Sequence, residues 1–198
     1  MNSPPHIAIL ILAAGNSSRF GTPKQLLAFN GRSLLRFVTE TALSSKADSV
    51  TVVVGYEAER MQAELQGLSV TIITNRNWEK GMGSSLFAGI HMIARFADAA
   101  LIMLADQPLI SADTLNAIID PYRTGGRKIV ASEYSGTIGV PALFDKQFFP
   151  ELTNVTGDSG AKLVLQKHRD LVTCIPFPLG AVDVDTPADY EKLTRSSS

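Results

Sequence analysis

Cysteine is almost missing from this chain of 198 residues: Cys174 stands alone. A lone thiol closes no intrachain disulfide and builds no cysteine metal cluster. An excess of one charge is missing too. Eighteen lysines and arginines against 19 aspartates and glutamates leave a net charge of −1. That gives no sign of a nucleic-acid footprint, which needs a basic surplus or stripe, so an anionic ligand has to be held by a few placed groups. No apolar run approaches the roughly 18 residues of a membrane span. The opening residues, "MNSPPHIAIL", have neither the charged n-region nor the long h-region of a signal peptide. The expectation is a cytoplasmic protein with no membrane and no nucleic-acid partner.

What is present reads as globular: 45% of residues are hydrophobic and 19% charged. Short aliphatic runs alternate with amphipathic stretches. Residues 7–12, 49–55, 70–74, 99–105, 128–132 and 171–177 read as strands, and their near-continuous apolarity suits a parallel sheet covered on both faces. Residues 33–45, 57–65, 84–96 and 111–122 read as helices, with Ser33, Ser84 and Ser111 as N-caps. The alternation predicts a three-layer α/β/α sandwich around a Rossmann-like, mostly parallel sheet. After residue 133 the pattern loosens; "SGTIGVPALFDKQFFPEL" is expected to leave the regular winding. Residues 157–168 read as a loop entering a helix, and 183–193 as a loop and a helix capped by Thr186 with Pro187 at its first position. With no internal repeat and no linker, one domain over 1–198 is expected.

The chemistry starts at "LILAAGNSSRFGTPKQ", residues 10–25. In an open parallel sheet, ligands bind beyond the carboxyl ends of the strands, and this stretch follows the first strand. Leu12, Ala13, Ala14 and Gly15 bring a backbone with little side chain to that edge, so a ligand can approach its N–H groups. Arg19 can fork onto phosphate oxygens and Lys24 can act as a point charge on them. The loop is not a Walker A motif, because Lys24 lies between Pro23 and Gln25, and it has no G-x-G-x-x-G. The competing reading is a glycine-rich surface turn with two solvated cations. Asp106 ends a buried strand in "LIMLADQPLI", where a carboxylate needs a partner. It either ligates Mg2+ or caps a turn ahead of Pro108. His6, His91 and His168 fall before a strand, within a helix and at a helix end, and are read as structural.

Leu12-Ala13-Ala14-Gly15, Ser18-Arg19-Phe20-Gly21 and Pro23-Lys24 resemble the signature of the MobA-like NTP transferases, which include the molybdenum-cofactor guanylyl- and cytidylyltransferases. The Ala-Ala-Gly form is closer to the cytidylyl branch. The resemblance continues through "GMGSSLFAG", "LADQPLI", "GVPALF", "GDSGAK" and "DVDTPADY", and so covers nearly the whole chain. It implies a nucleotide-diphospho-sugar transferase-like fold and transfer of a nucleoside monophosphate, CMP from CTP, onto the phosphate of molybdopterin, with pyrophosphate released. It implies catalytic roles for Arg19, Lys24 and Asp106, and Mg2+ held by Asp106 and Asp185. Asn75 and Gly83 would meet the base or ribose, with Ser84 offering a hydroxyl beside them. Asp158, Lys162 and Asp183 would face the acceptor; Lys162 stands where the family often has arginine. Either aspartate of "VDVDT" reads equally as a cap for the helix that follows, "GDSGAK" as a plain capped helix, and Trp78 as local packing. Transient contact with a molybdoenzyme or its chaperone is also implied. The rivals are transfer onto a sugar or isoprenoid phosphate, and a non-catalytic carrier of the cofactor.

Overall fold

The computed structural model describes residues 4–17, 20–184 and 186–195. Ile7–Ala13 (β1) leads to the two-residue strands Ala28–Phe29 (β2) and Arg32–Ser33 (β3), then helix Leu34–Leu43 (α1). Ser49–Val54 (β4), Ala58–Glu64 (α2), Thr71–Thr74 (β5), Met82–Ile93 (α3), Ala99–Leu104 (β6) and Ala112–Gly125 (α4) continue the winding. Then come Ile129–Tyr134 (β7), Thr137–Asp145 (β8), Phe149–Thr153 (α5), Lys162–Lys167 (α6), Val172–Pro176 (β9) and Pro187–Arg195 (α7).

One sheet of seven strands runs in the order β5-β4-β1-β6-β8-β7-β9, and β2 with β3 forms a separate hairpin. β1 lies at the centre of its parallel part and is buried at every position. Successive side chains of a strand point to opposite faces, which is why its apolar run is unbroken. Ile7, Ile9 and Ile11 pack with Leu35, Met61 and Ile118 from α1, α2 and α4. Ala8, Leu10 and Leu12 pack with Leu86, Leu152 and Leu165 from α3, α5 and α6. Three layers result, as the alternation predicted. Gly89 brings α3 onto β1, since a Cβ there would collide with the Leu10 side chain.

Two expectations need correction. Residues 137–145 leave the parallel winding as a strand and not as a run of turns: they form β8, which runs antiparallel to both β6 and β7 inside the sheet. Its turn-like residues mislead because Pro141 falls where the β7–β8 register shifts, between Ala131 and Ser132. Proline donates no ladder bond, so a register break is where a strand tolerates it, and the Ser132 hydroxyl donates to the Pro141 carbonyl at 2.9 Å. The second correction concerns Ser84. α3 starts at Met82, and Ser84 Oγ lies 2.8 and 2.9 Å from the Asn77 and Gly81 carbonyls rather than capping the helix. Ser33 and Ser111 do cap α1 and α4, accepting from the N–H groups of Arg36 and Thr114. Thr186 and Asp189 cap α7 reciprocally: Thr186 N–H donates to Asp189 Oδ2 at 2.9 Å, and Asp189 N–H to Thr186 Oγ1 at 3.3 Å.

Candidate active site

Every strand of the main sheet except β8 ends at one edge, and the functional loops collect there. After β1 the chain runs through Ala14–Ser17. The Ala14 carbonyl accepts from Tyr56 N–H at 3.1 Å, and the Gly15 carbonyl from Gln25 Nε2 at 3.2 Å. Ser17 adopts a left-handed φ of 51°, and its hydroxyl accepts from Lys24 N–H at 3.0 Å. By contrast, the N–H groups of Gly15, Asn16 and Ser17 donate to no described acceptor. Consecutive N–H groups in such a turn form an anion-binding nest. Gln25, 4% exposed, is the prop that sequence reasoning passed over. Its signal was a polar side chain directly after Pro23-Lys24, in a turn too short to leave it in water.

Lys24 crosses from this loop to the end of β6, and its Nζ lies 2.6 Å from Asp106 Oδ2. Both side chains are largely buried, so the pair is a charge-assisted hydrogen bond in a low-dielectric setting. Asp106 Oδ1 is buried and accepts no hydrogen bond among the described residues. A buried carboxylate oxygen without a donor is costly, unless something else meets it. The segment before α7 passes alongside, with Val184 N–H donating to the Asp106 carbonyl at 3.1 Å. Across from it stands Tyr134. Burial, then the Asp183 charge and more weakly that of Asp106, push its phenol above the usual range, partly offset by the Gln107 side chain.

The facing wall comes from the start of α3 and the loop before α6. Together with the β1 loop it encloses a cavity of about 490 Å³ whose lining includes Leu12, Gly15, Lys24, Trp78, Asp106 and Asp158. Trp78 packs tightly over Gly55, where a Cβ would come within 2.7 Å of the Trp78 Cβ and 2.8 Å of the Ala14 Cβ. A loop of free N–H groups, a lysine and a carboxylate at a strand end, in one cleft, suits a metal-bound polyphosphate.

The model of the MobA-like NTP transferase domain matches residues 9–172. The chain belongs to that family. It is a nucleotidyltransferase by family. Among curated relatives of the MobA-like chain, nicotine blue oxidoreductase of Paenarthrobacter nicotinovorans is 32% identical, over 96% of this chain and 97% of its own length. Purine catabolism protein PucB of Bacillus subtilis (strain 168) is 30% identical over 98% of both. Rv0371c of Mycobacterium tuberculosis H37Rv superposes with a TM-score of 0.87 at 28% identity, covering 98% of this chain and 100% of that one. A second Rv0371c structure is a complex with manganese, with a TM-score of 0.82 at 27% identity and coverage of 96% and 99%.

Asp106 fits a divalent ion: the orphaned Oδ1 is a hard anionic oxygen at the floor of the MobA-like cleft. Magnesium is typically held by one or two carboxylates with substrate phosphates and water completing the shell. Among the described residues no group of three His, Cys, Asp or Glu gathers as a metal cluster. Arg19 and Asp185, expected here, lie outside the described residues.

Most of the other expected residues divide between two cavities, while Lys162 and Asp183 line neither. Leu12, Ala14, Gly15, Lys24, Asp106 and Asp158 share the first cavity, with Ala13 buried beneath at the end of β1. Asn75, Gly83 and Ser84 line a separate groove of about 730 Å³ behind the start of α3. Their polar groups are engaged there. Asn75 Nδ2 donates to Ser84 Oγ at 2.8 Å and Ser85 Oγ at 3.0 Å, while Gly83 N–H donates to the Gly157 carbonyl at 2.8 Å. Lys162 opens α6 and borders neither cavity. The histidines stand elsewhere: His6 Nε2 lies 2.9 Å from Ser49 Oγ, His91 stacks on Phe87, and His168 Nε2 lies 2.9 Å from Glu151. No helix among the described residues is long and apolar enough to cross a membrane.

Proposed function

We propose that this chain transfers CMP from CTP onto the terminal phosphate of molybdopterin, in the cytoplasm, releasing pyrophosphate. The observation that carries the reading is Lys24 bridging to Asp106 beneath the free N–H groups of Gly15–Ser17. The Ala13-Ala14-Gly15 form of the loop supports the cytidylyl assignment, and the "ADQP" and "GDSGAK" segments support the pterin.

An acceptor phosphate is already ionised at neutral pH, so attack on the α-phosphorus needs no strong general base. A new P–O bond forms there as the bond to the β-phosphate oxygen breaks, which leaves positioning and charge compensation as the protein's task. The Gly15–Ser17 N–H groups would grip the phosphates. Lys24 would exchange its carboxylate partner for phosphate oxygens and offset the charge that develops on departing pyrophosphate. Arg19 would add a forked donor from the same loop. Asp106 and Asp185 would hold Mg2+, which supplies Lewis-acid polarisation of the phosphates when bound. Asp183 and Lys162 would act on the acceptor side.

Pyrophosphate release, measured with each of the four ribonucleoside triphosphates with and without a pterin phosphate, tests the reading. Release that requires both CTP and the pterin is expected. Release with a sugar or isoprenoid phosphate instead overturns the acceptor. Redox turnover with no triphosphate present, the class of reaction in the name of the relative nicotine blue oxidoreductase, overturns the reaction class. Asp106→Ala separates an enzyme from a carrier: an enzyme loses turnover, whereas a carrier keeps its pterin affinity.

A further inference from the structure

Among the acids lining the cleft, the transfer chemistry gives Asp158 and Glu79 no task on the nucleotide side, and Asp158 is the one set opposite the start of α3. Its loop is fixed with little tolerance. Gly83 N–H donates to the Gly157 carbonyl at 2.8 Å, and a Cβ on Gly83 would overlap the Val155 carbonyl. A Cβ on Gly81 would lie 2.6 Å from Asp158 Oδ1 and 2.7 Å from the Gly157 carbonyl carbon. One on Gly160 would overlap the Met82 sulfur. Three glycines thus seat residues 155–160 directly on the start of α3 and carry the Asp158 carboxylate into the same cavity as Lys24 and Asp106. That carboxylate makes no hydrogen bond or ion pair among the described residues.

A carboxylate facing a triphosphate is repelled by it. In a nucleotide cleft its attractive partners are the donors of the nucleoside, namely ribose hydroxyls and exocyclic amino groups. The phosphate end is marked by Gly15, Lys24 and Asp106. The base end is marked by Trp78, whose ring lies 5.4 Å from that of Tyr56 and is followed by a second acid, Glu79. Asp158 belongs to neither end; it stands over Gly81. Two carboxylate oxygens match the two hydroxyls of a vicinal diol, a pairing already used by an acidic residue on the ribose of dinucleotides.

We propose that Asp158 accepts hydrogen bonds from the ribose hydroxyls of the bound nucleotide, so that the cleft selects ribonucleoside over 2′-deoxyribonucleoside triphosphates. The inference rests on the nucleotidyl-transfer reading and assigns to the nucleoside a residue whose motif suggested the acceptor.

The test compares CTP with 2′-deoxy-CTP in the full chain, for wild type, Asp158→Asn and Asp158→Ala. A hydrogen bond to a charged group sets the expected wild-type preference for CTP in kcat/KM at about 10-fold or more. That ratio should fall toward unity in Asp158→Ala and take an intermediate value in Asp158→Asn. Equal losses with both nucleotides overturn the proposal, as does a change confined to the KM of the acceptor. Titration calorimetry of both nucleotides with Mg2+ reads the same contact without turnover. If no triphosphate supports pyrophosphate release yet calorimetry still favours CTP only when Asp158 is present, the reaction fails and the ribose contact stands. Equal affinities in wild type overturn the contact itself.

Discussion

The two halves of the sheet build their shared edge in different ways. β5, β4, β1 and β6 run parallel, so four successive strands deliver their carboxyl ends in one row. From this row come the free N–H groups after β1, Gly55 with Tyr56 after β4, and Asp106 after β6. Beyond β6 the direction reverses. β8 presents its beginning to the edge, and β7 returns beside it as a hairpin. That leaves space above the sheet for the Pro178–Ala181 turn and the segment through Val184, which is tied down where Gln107 Nε2 donates to the Gly180 carbonyl at 3.3 Å. A row of parallel strand ends gathers backbone donors for phosphates. Next to the reversed strand, Tyr134 at the end of β7 comes close enough to Asp183 and Asp106 to feel both charges.

The largest expected effect tests whether β8 belongs to the core at all. Phe144 is fully buried between α6 and the sheet, so Phe144→Ala should cost about 3–5 kcal/mol in denaturant unfolding. A change below ~0.5 kcal/mol would mean that residues 137–145 lie on the surface. Next comes the parallel row: Asp106→Ala should lower kcat/KM by about 10²–10³-fold, the scale of removing one preorganised charge-stabilising group. Chelating divalent ions should cause a similar loss in wild type and little more in the variant. Gly83→Ala strikes the junction of the two halves. Overlap with the Val155 carbonyl should cost about 1–3 kcal/mol, and nucleotide affinity should fall with it as the Asp158 loop is displaced. The smallest effect is Ser111→Ala, a loss of about 1 kcal/mol from one N-cap. It should match Ser33→Ala, since both hydroxyls accept one N–H at a helix start.

The parallel half was legible because strands covered on both faces are apolar throughout, and "IAILIL" is a β-branched and aliphatic run of strand length. The loop after β1 was legible for a similar reason: small residues followed by a lysine have few uses at a strand end. β8 was hidden by Pro141 and two flanking glycines, residues that local rules assign to turns; their cost is absorbed at a register break that only the neighbouring strand reveals. The division between the two clefts was hidden as well. Asn75, Gly83 and Ser84 adjoin the cavity-lining Gly81, Met82 and Ser85 in sequence, but successive positions on a helix start face different sides. Gln25 and Tyr134 owe their placement to contacts with the Gly15 carbonyl and with segments far along the chain, which no local pattern encodes.

A crystal of the full chain grown with CTP and Mn2+ would decide the matter of Lys24 and Asp106. The anomalous peak should lie within about 2.0–2.6 Å of Asp106 Oδ1, the span of hard-cation bonds to oxygen, with triphosphate oxygens on the Gly15–Ser17 N–H groups and Lys24 Nζ. Manganese bound away from Asp106, or the triphosphate lying outside the cavity between β1 and α3, would contradict it.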